Sequence, residues 1–341
     1  MSSNRATISL IAQRAGVSVG TVSNVFNGKG RFAEETRARV LRVASDLNFT
    51  PNALIRSLQS GKTNSIGIFT CSITAHVTRD ISMLLLRGAL AGIAATGCDA
   101  LLYSRHPHID AVSVNLFLDR RVDGLILCPG GLSGEGMRAL ADSGLPTVAL
   151  YQNAVPDEMG AVNIDNAGGL RAALAYLIGL GHRRIAFYAP DNTFDFGERL
   201  KAYRAGLERG GLIYDPALHF MAKYDYQQTT GAALTQWLAL PQPPTAILAG
   251  DDSAALAFLE TIAARGLQVP ADISVVGFDD APAAIAPPGL TTVRQPAEDV
   301  GRLGADLLRC LMGGEPAENC RVTLPTEFVI RHTTGPPRKT R

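Results

Sequence analysis

Apolar and polar residues alternate with two different periods along this chain, and the change of period divides it. Near the N-terminus Ile8, Ile11, Ala12 and Ala15 fall at i, i+3, i+4 and i+7, one apolar face of a helix. Gly16 ends that helix, because glycine takes the left-handed C′ conformation without strain. Ser18 is a natural N-cap for the next helix. On that second helix Val22, Val25 and Phe26 turn back to the core, so Val19, Gly20, Ser23 and Asn24 face outward. Ala12 is small where the two helices cross. A third helix is expected from about Glu34 to Asn48, with Val40, Leu41, Ala44 and Leu47 on one face. Pro51 can open a helix but not continue one, and the stretch that follows it to Leu58 is too short to be stable alone.

From Ser65 onward short apolar runs alternate with amphipathic stretches. The runs are Ile66–Phe69, Ala100–Tyr103, Gly124–Cys128, Thr147–Leu150, Ile185–Tyr188, Ala246–Ala249 and Ser274–Phe278. Helical segments such as Ile81–Ala95, Gly168–Ile178, Leu200–Glu208 and Ala254–Ala264 lie between them. This order predicts an α/β body of parallel sheets with helices on both faces. Roughly 270 residues exceed one comfortable core, so two lobes are expected. Ligands of such sheets bind at the carboxyl ends of strands. Polar residues collect there, at Ser72–His76, Tyr151-Gln152, Asp191–Arg199, Asp251-Asp252 and Asp279-Asp280.

Net charge changes the picture only when it is divided. The whole chain of 341 residues carries +1. Residues 1–62 hold nine Lys/Arg against three acids, a head of +6 on a body of −5. A basic head on an acidic body is the footprint of a polyanion-binding module joined to something else. A helix, a tight glycine turn and a short second helix form a helix-turn-helix, whose second helix places its N-terminal end on base edges in the major groove. No apolar run is long enough to span a membrane, and Met1–Ala6 lack a signal-peptide core, so a cytoplasmic chain is expected. The five cysteines are scattered without metal-ligand spacing and read as reduced thiols.

Several motifs occur in order and at the right spacing. They are Thr7-Ile8, Ala15-Gly16-Val17-Ser18, Thr21 to Asn27, Glu35-Thr36-Arg37, Pro51-Asn52 and Arg56-Ser57-Leu58. Together they resemble the headpiece of the lactose-repressor/galactose-repressor family, and the resemblance runs on to about Thr334. It implies a helix-turn-helix headpiece at 1–50, a hinge helix and linker at 51–63, and an effector-binding and dimerisation domain at 64–335. That domain would have the type 1 periplasmic-binding-protein fold. Its first lobe would take 64–163 and 291–324, its second lobe 164–290 and 325–335, with a basic tail at 336–341.

The resemblance also implies roles. Val19, Gly20 and Asn24 stand at base-reading positions. Ser18, Thr21, Ser23 and Asn27 match phosphate-contacting positions, which set register rather than sequence. Asn52, Ile55 and Leu58 belong to the hinge helix, where the leucine wedges between base steps in the minor groove. Gly20 offers no side chain for readout, and Ile55 stands where relatives carry a small alanine. His76, Tyr151, Asp195, Phe196, Arg199, Tyr226, Asp251 and Asp279 match effector-pocket positions. Arg199 would clamp ligand oxygens and Asp279 would accept from ligand donors. Tyr151 replaces an aspartate common in sugar-binding relatives.

The expected protein is thus a homodimeric repressor of transcription on a pseudo-palindromic double-stranded DNA operator. A sugar or related metabolite between the lobes would control it allosterically. Removing Arg199 should abolish that response and leave folding intact.

Other classes find little support. Ser60-Gly61-Lys62-Thr63 imitates the end of a phosphate-binding loop, but Arg56 occupies the place of its first glycine. No catalytic triad, metal spacing or dinucleotide fingerprint accompanies the αβ units, so neither an enzyme nor a cofactor is expected. A solute-binding protein for transport would share the body, but it would need a signal peptide and no basic head.

Overall fold

The structure is a computed structural model, and it describes residues 7–26, 30–49, 61–70, 80–103, 113–129, 132–152, 154–190, 194–222 and 226–338. The chain divides into two compact units. One is Met1–Asn64 with Arg120–Asp123, and the other is Ser65–Asp119 with Gly124–Arg341.

In the first unit the described residues form three helices, α1 (Ile8–Ala15), α2 (Val19–Phe26) and α3 (Glu34–Asp46). Thr7 caps α1 by accepting the Leu10 amide at 3.2 Å. Gly16 ends it at φ +64°, and the following Val17 amide returns to the Ala12 carbonyl at 3.0 Å. Ile11, Ala12, Ala15, Val22, Val25, Val40 and Ala44 form the buried centre. The third helix is shorter than the sequence pattern suggests, because Leu47 is its cap and Asn48 turns to φ +49°. Leu41 is also displaced from the expected face. It is 44% exposed, and Val43 packs on the core instead, next to Ala44 in sequence.

The second unit holds two six-stranded sheets. The first combines β1 (Ser65–Phe69), β2 (Asp99–Tyr103), β3 (Gly124–Leu127), β4 (Thr147–Leu150), β5 (Gly160–Ile164) and β11 (Arg321–Leu324). Its order is β11-β5-β4-β3-β1-β2, parallel throughout. The second combines β6 (Ile185–Pro190), β7 (His219–Ala222), β8 (Ala246–Ala249), β9 (Ser274–Asp279), β10 (Thr291–Arg294) and β12 (Glu327–Val329). Its order is β12-β10-β9-β8-β6-β7, with β12 alone antiparallel. Both sheets thus wind in one pattern, reversing direction after their first strand, β1 or β6. The strands alternate as buried strands should. Ile126 and Cys128 face one core while Leu125 and Leu127 face another.

Helices α4 (Asp80–Ala95), α5 (Gly134–Asp142), α6 (Asn166–Gly179), α7 (Phe194–Arg209), α8 (Tyr226–Leu238), α9 (Asp252–Ala264), α10 (Pro282–Ile285) and α11 (Ala297–Met312) complete the unit. Helices α4 and α11 cross at close range. A Cβ on Gly88 would lie 1.9 Å from the Glu298 carbonyl oxygen, and one on Gly301 would lie 2.1 Å from that of Leu85. Only bare glycines let the two backbones approach so far.

Three connections pass between the sheets. They follow Ile164, Arg294 and Leu324. The second lies beyond the lobe boundary before residue 291 that the resemblance implies. Residues 291–294 were expected to open the return to the first lobe, but they form β10, paired with β9 from Thr291↔Val276 to Arg294↔Asp279. The chain leaves the second sheet only after that ladder is complete. The other two connections are tied together. The Asp165 amide donates to Leu324 O at 2.9 Å, and the Thr326 hydroxyl donates to Asp165 O at 2.9 Å.

Candidate functional site

The head presents one polar face on α2. Ser18 caps this helix, its Oγ accepting the Thr21 amide at 3.0 Å and lying 2.9 Å from the Thr21 hydroxyl. That cap aims the N-terminal end of α2 outward. Val19 is 45% exposed although it is a valine, and Gly20 and Asn24 are exposed beside it. Thr21 and Ser23 are half-buried at the edge of the same face. Arg37, Arg39 and Arg42 of α3 are exposed as well. Asn27, Asn52, Ile55 and Leu58 lie outside the described residues.

The body gathers a second set of polar groups, each just beyond the carboxyl end of a strand. Tyr151 follows β4, Asp251 follows β8, and Asp279 ends β9. Asp195, Phe196 and Arg199 open α7, the helix after β6. Arg199 is 3% exposed. Its Nε donates to Asn166 Oδ1 at 2.9 Å and its Nη1 to the Gly250 carbonyl at 2.6 Å. The guanidinium lies 3.7 Å above the Phe278 ring and 5.3 Å from that of Phe196. Gly250 permits this, since a Cβ there would meet the Phe196 ring at 2.9 Å. Asn166 then donates from Nδ2 to Asp195 Oδ1 at 3.0 Å, so one amide links the arginine to the carboxylate.

Tyr226 donates its hydroxyl to Asp251 Oδ2, while Asp251 Oδ1 caps α9 by accepting the Ala254 amide at 2.8 Å. Gln295 Nε2 donates to Asp279 Oδ1. The neighbouring Asp252 accepts from the Thr292 hydroxyl at 2.5 Å and the Ala281 amide at 2.9 Å. Asp280 turns away to Arg294 at 2.7 Å and Arg331 at 2.6 Å.

Charge in this site is only partly compensated. Burial pushes the Asp279 carboxyl well above its ordinary range, Arg199 opposes the rise, and Asp252 and Asp251 add to it. Burial likewise raises Asp195 against Arg199 and the Asn166 hydrogen bond. Asp252 is pushed up to about 7 by burial, despite its two donors. Burial is also the main reason the Tyr151 hydroxyl is held well above its ordinary value. The charges of Asp279 and Asp195 add to that effect and Arg199 counters it. Tyr151 is 6% exposed, and its hydroxyl has no hydrogen-bond partner among the described residues.

Backbone strain marks the same places. Tyr151 has φ +56°, Asp279 φ +138° and Asp280 φ +55°. For residues with a Cβ such conformations cost roughly 1–3 kcal/mol each and persist where the surroundings over-determine them.

The structure therefore brings together Tyr151, Asp195, Phe196, Arg199, Tyr226, Asp251 and Asp279. His76 lies outside the described residues. Sequence reasoning missed Asn166, Phe278 and Gly250. A buried asparagine directly after the capping Asp165 was the one local hint. Among the described residues no His/Cys/Asp/Glu group could hold a metal ion, and no helix is long and apolar enough to cross a membrane.

A helix-turn-helix with its polar face exposed, on a chain whose body is two doubly wound sheets with a polar site at their strand ends, defines a DNA-binding regulator of transcription. Comparison with known proteins agrees. Residues 7–52 match the model for bacterial regulatory proteins of the lacI family, and residues 174–334 match that for a periplasmic binding protein-like domain. The chain is 32% identical to the HTH-type transcriptional regulator CelR of Thermobifida fusca, over 96% of this chain and 98% of that one. It is 30% identical to the HTH-type transcriptional regulator DegA of Bacillus subtilis (strain 168), over 97% and 99%. Among solved structures, the lac repressor dimer bound to operator and the anti-inducer ONPF matches with TM-score 0.83 and 26% identity, covering 97% of this chain and all of that one. The CelR–cellobiose complex matches with TM-score 0.72 and 30% identity, over 96% and 100%. The chain belongs to the lacI family of bacterial regulatory proteins, whose members are transcriptional regulators and not enzymes.

Proposed function

We propose that this chain is a cytoplasmic, homodimeric repressor whose affinity for a pseudo-palindromic operator is set by a small molecule held at the strand ends of the two lobes. Val19, Gly20 and Asn24 would face base edges, with Ser18, Thr21, Ser23 and Asn27 on phosphates. Asn52, Ile55 and Leu58 would enter the minor groove. The effector would meet His76, Tyr151, Asp195, Phe196, Arg199, Tyr226, Asp251 and Asp279.

One observation carries the effector reading: a buried tyrosine hydroxyl without a partner among the described residues lies near two partly compensated carboxyls and an arginine. A ligand that donates hydrogen bonds to these carboxyls would relieve their burial cost. Arg199 already spends two donors within the protein, and several carboxyls surround it. The site therefore suits an uncharged, hydroxyl-rich compound of the sugar class better than an acid or a phosphate. The solved CelR–cellobiose complex gives one relative with such a ligand.

The test begins by selecting DNA from a random pool with the full-length protein. Operator affinity is then measured with and without a panel of neutral sugars and their matched uronic acids and phosphates. A neutral sugar should raise the melting temperature and change operator affinity, while its acid does neither. A response to the acids alone would overturn the assignment of ligand class. Failure to enrich any sequence at low salt would overturn the operator reading, since phosphate contacts make binding strongest there.

A further inference from the structure

One carboxylate binds two successive amides just before the first sheet begins. Strand β1 starts at Ser65, and its ladder with β3 starts at Ile66↔Gly124. Just before that rung, the Asp123 carboxylate receives the chain. Its Oδ1 accepts the Thr63 amide at 2.7 Å and its Oδ2 the Asn64 amide at 2.8 Å. Two successive amides reach one carboxylate because Asn64 turns to φ +53°, the kind of backbone concavity that receives anions. Asp123 is half-buried, beside the buried Val122. Residues 120–123 cluster with the N-terminal unit even though β3 follows them directly.

Other features of the molecule carry less. The exposed Met83 and Leu90 of α4 have nothing on them to show what covers them. Cys320 is buried, and burial makes it a poorer thiolate. The Asp123 clip differs because both of its bonds join segments about sixty residues apart, one of which is the linker itself.

Strand β3 adds a second aspect. It leads from Asp123 to Cys128, whose thiol lies close enough to bear on the Tyr151 phenol. At about 3.3 Å per residue these ends are roughly 17 Å apart along one extended strand. We propose that Asp123 is a positioning residue for operator binding: by accepting both amides it restrains the backbone of Thr63 and Asn64, the last residues before β1. Without the clip, residues 63 and 64 regain backbone freedom, and operator binding must order them again.

The proposal rests on the operator-binding function of the family, and its test separates the two. Full-length wild type, Asp123→Asn and Asp123→Ala are compared on the duplex that wild type selects from a random pool, and on poly(dI-dC). Amide hydrogen exchange is read at Thr63 and Asn64. Asp123→Ala should lose protection at those two amides while β1 and β3 keep theirs. It should bind the selected duplex roughly tenfold more weakly or worse, with poly(dI-dC) binding unchanged. Asp123→Asn, which retains one acceptor oxygen, should fall between, and it carries the comparison if the alanine variant does not fold. Unchanged exchange at Thr63 and Asn64 would overturn the clip. Lost protection with unchanged specific affinity, or equal weakening on both DNAs, would overturn the positioning role. If wild type enriches no duplex at all, the operator reading fails instead.

Discussion

Replacing Arg199 with methionine removes a buried cation while keeping most of the side-chain volume. The sequence suggests that this position can be emptied without harm to the fold, and the structure points the other way. Arg199 is buried, donates to Asn166 and Gly250, and is stacked on Phe278. Each hydrogen bond to a charged group contributes about 1.5–3 kcal/mol. Breaking a buried charge cluster by removing one partner costs about 3–5 kcal/mol, because the remaining charges stay buried. The expected loss at pH 7.5 is therefore about 3–5 kcal/mol. At roughly 2–4 °C per kcal/mol for a domain of this size, that is a melting temperature lower by about 10 °C. The pH dependence identifies the cause. Arg199 lowers the raised pKa values of Asp279 and Asp195, so its loss raises them further. Both carboxyls then take protons as pH falls and cease to be buried charges. The gap between wild type and variant should narrow from pH 8 to pH 5.5 in calorimetric melts. A shift under about 2 °C, or a gap that widens at low pH, would refute the reasoning.

Two further outcomes follow from the structure. Asp252 is raised from 3.8 to about 7, so the fold favours its neutral form. Its contribution to stability is present in full below pH 3.8 and is lost as pH rises through 7. The size is on the order of 4 kcal/mol at about 1.4 kcal/mol per unit. Urea titrations of wild type and Asp252→Asn from pH 4.5 to 8 should show wild type losing its relative advantage as pH rises. The comparison cancels His182 and His219, which burial lowers and which act in the opposite sense. A relative advantage that grows with pH would be contrary. Separately, Gly88→Ala should lower stability by about 3 kcal/mol, since its Cβ would strike a backbone carbonyl. Gly231→Ala on α8, with open space around it, should gain up to about 1 kcal/mol. Equal melting temperatures for the two variants would contradict the close approach of α4 and α11.

What the sequence disclosed depended on how local the deciding contacts are. The head was legible because each of its determinants lies within a few residues. Thr7 caps α1, Gly16 ends it and Ser18 caps α2. Leu41 was misplaced because one residue around a helix is 100°, and a short helix packed on two others buries a narrow stripe. In the body, the membership of β10 was not legible. Its four residues, Thr291-Thr292-Val293-Arg294, are equally consistent with either sheet, and only the pairing with β9 assigns them. The site followed the same rule. The strand-end positions of Tyr151, Arg199, Asp251 and Asp279 could be read from the order of elements. The partners that hold Arg199 could not, because Asn166 and Gly250 reach it from 33 and 51 residues away.

Gly20 shows the converse. A Cβ placed on it would meet nothing nearer than Ser18 Oγ at 3.6 Å, an ordinary contact. Glycine inside a helix is disfavoured by roughly 0.5–1 kcal/mol relative to alanine. Substitution there is therefore thermodynamically downhill for the protein alone. Packing within the chain thus sets no bar to a side chain at this position. Under the base-facing role proposed for Gly20, a single codon change there would alter the surface offered to the operator at no packing cost to the scaffold, so that a new preference would need no compensating mutation.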